Sequence, residues 1–181
     1  MSMNKAFRPD KAVEVILYII SRGCKNLYNI LKVIYFADKM RLSMVASTMF
    51  KDSYVAFKAG PVPSGTYDLL KDVRDGRKPS YEVELPFAFD SEDAHMVDAL
   101  RAPKMGCLSK VDIECLDKAI EKYGLMDYWS LKRVSHEQPD YKTVQLNEWI
   151  PFDAILASVD KDGKIKDYLA SLKEDECCPR A

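Results

Sequence analysis

Histidine is nearly absent from this chain: His95 and His136 are the only two, and neither has a second His or a Cys at ligand spacing. A zinc-type site needs several such groups held together, so no metal is expected. The five cysteines, Cys24, Cys107, Cys115, Cys177 and Cys178, are odd in number and irregularly spaced, and the last two are adjacent rather than arranged as C-x-x-C. That pattern suits reduced thiols in a cytoplasm better than a disulfide framework. Glycine is scarce, 7 in 181 residues, and no G-x-x-x-x-G-K-[ST] loop is present. The stretch Gly60-Pro61-Val62-Pro63-Ser64-Gly65 places prolines where a phosphate cradle needs amide donors. No cofactor is expected.

A long hydrophobic run is also missing. Residues 12–20 are the most apolar segment, but Glu14 interrupts it and it falls short of the roughly 20 residues that span a bilayer. No small-residue cleavage site follows, so neither a membrane anchor nor a signal peptide is expected. Nor is there an excess of positive charge. The 27 basic and 28 acidic side chains give a net charge of −1, with no block of like charges. Nucleic-acid binders gain affinity by replacing phosphate counterions with basic side chains, so such a partner is not expected. With so little chain ahead of Pro9, no separate DNA-binding domain is expected either.

What is present reads as a helical domain. Hydrophobic residues make up 48% and charged residues 30% of the chain, an ordinary globular balance. A chain of this length buries about 70% of its unfolded surface, enough for a core of its own. Pro9 and Asp10 open a helix that runs to about Ser21 and stops at Gly23. Its apolar positions Val13, Ile16, Leu17 and Ile20 follow the i, i+3, i+4, i+7 rule, and Val15 and Ile19 widen the stripe. Asn26 caps a second helix to about Val45, with Leu27, Ile30, Leu31, Ile34 and Tyr35 as its apolar face and Lys32, Asp38 and Lys39 elsewhere. Ser64 begins a helix through Arg74 that Gly76 closes. Ser109 and Asp112 have capping-box spacing ahead of the stripe Ile113, Leu116, Ile120 and Tyr123, which Gly124 ends. Shorter helices are expected over residues 128–135, ending before Pro139, from Pro151 to about Ser158, and over residues 165–172.

The remaining segments are less regular. Two prolines and a glycine argue against regular structure in residues 60–63. Residues 81–85 alternate apolar and acidic, the period of a half-buried strand. A partner strand within residues 91–101 is preferred over a helix starting at Ser91, because a lone strand lacks a pairing edge. The expected fold is therefore mainly α, a single globular helical domain with a small β-hairpin near residues 81–100. Residues 1–160 form that domain, and residues 161–181 a short helix and a loose tail.

Candidate chemistry is thin. Ser135-His136-Glu137 contains a nucleophile, a base and an acid, but neighbours in a helix do not face each other. A tertiary pairing of Cys115 with His136 competes with the plainer reading of Cys115 as a small apolar group. Asp68, Asp72, Asp112, Glu114 and Asp117 are read mostly as surface carboxylates. Asp38 follows the apolar pair Ile34-Tyr35 and is read as able to hydrogen-bond inward.

Three segments taken together carry a resemblance. Leu31 through Asp38 reads as K-hydrophobic-hydrophobic-Tyr-x-Ala-Asp. Tyr54 through Pro63 with Tyr67 reads as a hydrophobic-A-x-x-x-GPVP…Y loop and helix. Leu108-Ser109, Asp112, Leu116-Asp117, Tyr123-Gly124, Leu131 and Ser135-His136 read as an LS-x-x-D…LD…YG…L…(T/S)H segment. In this order, over about residues 10–145, the chain resembles the SocA-like antitoxin family, also called the Panacea domain. The resemblance implies a mainly α domain of bacteria and their phages. Its members are typically antitoxins that neutralise a neighbouring toxin by direct binding, at least one type acting as an adaptor to a Clp-type protease. The domain is not known as an enzyme. Tyr141 stands where many members carry Trp after the His.

Three site expectations follow. Tyr35, Asp38 and His136, recurrent positions in the resemblance, are expected to form one buried polar cluster. The turn at Gly60, Pro61 and Pro63 is expected to need positive φ at Gly60 and to hold Val62 rigidly. Lys58, Val62 and Tyr67 are expected on or beside a surface that binds a cognate toxin. The competing expectation is a small hydrolase or nucleotide-acting enzyme with His136, Asp38 and Tyr35 in a shared pocket.

Overall fold

The computed structural model describes residues 6–177, with side chains through Leu172. The Cys177-Cys178 pair and the end of the expected tail lie outside the described side chains.

Helix α1 (Pro9–Ser21) starts at its proline and buries every residue from Lys11 to Ile20. Glu14 is tolerated in that apolar run because it is paired. Its carboxylate accepts Arg101 Nη1 at 3.0 Å and Nη2 at 2.6 Å, and the Lys104 amide at 2.7 Å. Helix α2 (Leu27–Val45) is capped by Asn26, whose side chain accepts the Tyr28 and Asn29 amides at 3.0 and 3.4 Å.

α2 is the central element, and Lys32 and Lys39, placed off its apolar face, do not point to solvent, while Asp38 turns inward as read. All three are buried. Val33, Phe36 and Ala37 add apolar side chains around the helix, which is therefore enclosed rather than amphipathic. Its neighbours include α4, α5, α7 and β2.

Strands β1 (Tyr54–Phe57) and β2 (Gly60–Pro63) form an antiparallel hairpin closed by the turn Lys58-Ala59. The prolines were expected to prevent regular structure here. They do not, because of where their missing amides fall. Pro61 faces Ala56, whose own N–H and C=O bond outward to the Glu148 carbonyl (2.9 Å) and the Asn147 amide (2.7 Å). Pro61 and Pro63 therefore occupy positions where the ladder asks for no donor, on an edge strand. The strand β5 (Trp149–Ile150) pairs with β1 on its other side, giving the order β2-β1-β5.

Helix α3 is Ser64–Arg74. The expected hairpin near residues 81–100 is present, as β3 (Phe87–Phe89) against β4 (Val97–Ala99). Its first strand lies later than the alternation of residues 81–85 suggests. Tyr81, Val83 and Leu85 do pack on the core, but Val83 donates to the Tyr81 carbonyl instead of to a neighbouring strand.

Helix α4 (Lys110–Tyr123) has the anticipated capping box, with Ser109 N–Asp112 Oδ2 at 2.8 Å and Asp112 N–Ser109 Oγ at 3.1 Å. Asp72 and Asp112 are buried, not on the surface as first read. Cys115 is buried beside Met44, as a small apolar group would be. The chain continues through α5 (Tyr128–His136), α6 (Pro139–Lys142), α7 (Phe152–Val159) and α8 (Lys164–Cys177). Pro139 opens α6 as well as following α5. The molecule is mainly α with small antiparallel sheets, and no described helix is long and apolar enough to cross a membrane.

Candidate functional site

The β1–β2 hairpin is held by its carbonyls. Tyr141 Oη donates to the Phe57 carbonyl at 2.9 Å and Tyr28 Oη to that of Ala59 at 2.9 Å. Lys32 Nζ donates to the Pro61 carbonyl at 2.6 Å, and the His136 ring lies beside Tyr141, with Nε2 3.5 Å from the Tyr141 Oη that holds Phe57. Gly60 has φ +98°, a left-handed conformation that side chains rarely adopt. A Cβ there would overlap Ser135 Oγ and come within 3.1 Å of Lys32 Nζ. Lys32 is fully buried with no carboxylate in ion-pair range among the described residues, and burial brings its ammonium pKa down to about 7. Burial, aided by the nearby Lys132 charge, also holds His136 below the ordinary histidine range.

Beside this hairpin runs an open groove of about 920 Å³. β1, β2 and their turn contribute Phe57, Lys58 and Val62; α2 contributes Leu27, Tyr28 and Leu31. Tyr67 and Arg74 enter from α3, and residues 124–128, Lys25 and the His95-Met96 pair add to the lining. The three residues expected at a binding surface thus meet at one feature. Lys58 is exposed, Val62 is buried at the base of its strand, and Tyr67 is half-buried with its ring 6.2 Å from that of Phe57.

Several groups in the lining or packed beside it were not anticipated. Leu125 is 89% exposed, an unusual state for leucine next to a groove. Tyr28 and Tyr128 pack ring to ring at 4.8 Å, Trp129 follows at 5.1 Å from Tyr128, and Lys132 Nζ sits 5.9 and 5.6 Å from the Tyr128 and Trp129 rings. The available signal was the apolar pair Leu125-Met126 and the aromatic pair Tyr128-Trp129, crowded behind a helix-ending glycine.

The expected cluster of Tyr35, Asp38 and His136 is divided. Asp38 accepts the Met49 amide and Tyr54 Oη, each at 2.7 Å, and burial pushes its carboxyl up to about 6. Tyr35 Oη donates to Asp140 Oδ2 at 2.6 Å, while Lys39 Nζ reaches Asp140 Oδ1 at 2.6 Å and Gln138 Oε1 at 2.9 Å. The half-buried His136 lies against Tyr141, ring centroids 4.7 Å apart. The acid that ties α2 to the segment after residue 136 is Asp140. It was overlooked because Pro139 was read only as a stop. None of Tyr35, Asp38 and His136 lines the groove. Among the described residues, no three His, Cys, Asp or Glu side chains gather in a way that would hold a metal.

Fold and site together define a helical domain whose open feature is an apolar, aromatic-rich groove beside a rigid hairpin. Residues 30–141, more than half the chain, match the model of the antitoxin SocA-like, Panacea domain family, and the chain belongs to that family. No curated protein and no solved structure matches it. The matched span includes the hairpin and each residue that holds its carbonyls except Tyr28.

Proposed function

We propose that this protein is a cytoplasmic antitoxin that neutralises a cognate protein toxin by binding it, without catalysing a reaction, and that the groove is its contact surface. The observation that carries this reading is the exposed apolar surface at the groove, with the lining residue Leu125 at 89% exposure and Trp129, packed on the lining residue Tyr128, at 73%. Exposed apolar side chains beside a recess mark interaction sites, and Tyr and Trp are enriched among the anchors of protein interfaces. Lys58, Val62 and Tyr67 belong to this surface, and the grip on the hairpin carbonyls keeps it preorganised. Such an arrangement suits an antitoxin of a bacterial or prophage toxin–antitoxin system.

Delivery of the bound toxin to a Clp-type protease is the finer version of this reading. It requires a second contact surface, for which the exposed Leu146, Trp149 and Phe152 are available outside the groove. A shortened toxin half-life in the presence of this protein, dependent on the protease, supports it.

The test is co-expression with the protein encoded by the neighbouring gene. That protein is expected to arrest growth alone and to be rescued by this chain. Rescue is expected to fail with Leu125→Asp and to weaken with Lys58→Glu. Val62 is only 6% exposed, so its substitution would mix packing with binding, whereas Leu125 separates the two. A non-toxic neighbour, or full rescue by both variants once folding is verified by circular dichroism, refutes the proposal.

A further inference from the structure

The groove is charged differently from the chain that carries it. Overall the net charge is −1, yet the groove is lined by Lys25, Lys58 and Arg74 against a single carboxylate, Asp127. Two of those cations are already paired. Lys25 Nζ lies 2.6 Å from Asp98, and Arg74 Nε lies 2.9 Å from Asp75. Asp127 is occupied as well, accepting the Trp129 and Ser130 amides at the start of α5, each at 3.0 Å. Of the lining cations, Lys58 on the hairpin turn remains; Lys132 on α5 stands just outside the lining, its Nζ 5.9 Å from the ring of the lining residue Tyr128. Neither has a carboxylate within ion-pair distance among the described residues.

We infer that the groove takes a short acidic and apolar segment of a protein partner, with large apolar side chains seated against Tyr28, Val62 and Tyr128 and flanking carboxylates meeting Lys58 and Lys132. The inference rests on the reading of the groove as a protein-binding surface and adds the chemistry of what enters it.

Two other occupants fit less well. A polynucleotide draws its affinity from many neutralised phosphates, and two unpaired lysines supply few. A small ligand lying wholly inside the groove leaves Leu125 in water, whereas a chain that crosses the rim covers it. Complementary rim charges also select among partners, because a like-charge juxtaposition is penalised.

The test uses the full chain and two synthetic helix-forming peptides with the same Leu and Phe anchors, one flanked by Glu and one by Lys. Binding is followed by fluorescence anisotropy, with an oligothymidylate as a third probe. The Glu-flanked peptide is expected to bind at least about tenfold more tightly than the Lys-flanked one. The Lys58→Glu, Lys132→Glu double variant is expected to reverse that preference, and Leu125→Asp to weaken both. Equal binding, preference for the Lys-flanked peptide, binding of neither, or tighter binding of the oligothymidylate overturns the inference.

The rescue assay separates this from the antitoxin reading. If the preference and its reversal hold while the double variant still neutralises the toxin, the groove's chemistry stands and its role in neutralisation falls. If Leu125→Asp abolishes rescue while neither peptide binds, the groove remains the toxin site and the acidic–apolar inference alone fails.

Discussion

Gly60 is a position where backbone and packing agree on one residue. Its φ of +98° is costly for any L side chain, by roughly 1–2 kcal/mol. A methyl there also overlaps Ser135 Oγ and crowds Lys32, both buried and without room to withdraw. Gly60→Ala is therefore expected to cost at least about 2 kcal/mol, which lowers the thermal midpoint by roughly 4–8 °C at this chain length. An unchanged midpoint would show that the hairpin tolerates ordinary backbone there. The need for positive φ was legible from a glycine set before proline. The buried amine beneath it was not, because lysine defaults to the outside of a helix read as amphipathic. Lys32 makes a second prediction possible. Burial lowers its pKa to about 7, while an unfolded lysine keeps its proton to about 10.4. Between those values the unfolded chain binds more protons, so stability from this group rises with pH. Relative to Lys32→Met, the native protein should gain about 2 kcal/mol between pH 7 and pH 9 in urea unfolding. A difference that stays constant across that range refutes the burial of a neutral amine.

At the scale of elements, Asp112 joins three helices. Its carboxylate receives Lys11 from α1 and Arg41 from α2, each at 2.6 Å, while it caps its own helix α4 through the Ser109 amide. Burial opposes its ionisation, but the contacts with Lys11 and Ser109 outweigh that and hold the carboxyl below its usual range. Asp112→Ala would leave two cations facing a buried gap. The expected loss is about 3–5 kcal/mol, against about 1 kcal/mol for Ser109→Ala, which removes only a cap. Urea unfolding of the two variants checks the ratio. Similar losses would mean that Asp112 acts as a cap alone. The capping box was readable from Ser109-x-x-Asp112, since caps depend on near neighbours. The cross-links were not, since they join residues 101 and 71 positions apart. The same contrast explains α1, α2 and α4, whose caps and apolar spacing announce them. It also explains β2 and α6, where prolines were read as breakers although an edge strand and a first helical turn both accept them.

For the whole molecule, the mainly helical fold was legible because apolar periodicity is a local signal. The groove was legible only in part. Lys58, Val62 and Tyr67 lie close in sequence around a recognisable hairpin, whereas Tyr28 and residues 124–128 join them only through the packing of α2 against α4 and α5. The molecule also exposes a second apolar group, Leu146, Trp149 and Phe152, near β5 and the start of α7. The two surfaces make opposite predictions. Leu125→Asp and Trp129→Ala alter exposed side chains and should each change stability by no more than about 0.5 kcal/mol. If the groove is the toxin site, both should weaken capture of the toxin in a pull-down by at least about tenfold, the scale of a lost interface anchor. Phe152→Asp, at a side chain 47% exposed and equally disruptive to an apolar contact, should leave capture unchanged. The reverse pattern, with capture lost only in Phe152→Asp, would move the interface to the segment after Trp149 and leave the groove without a part in neutralisation.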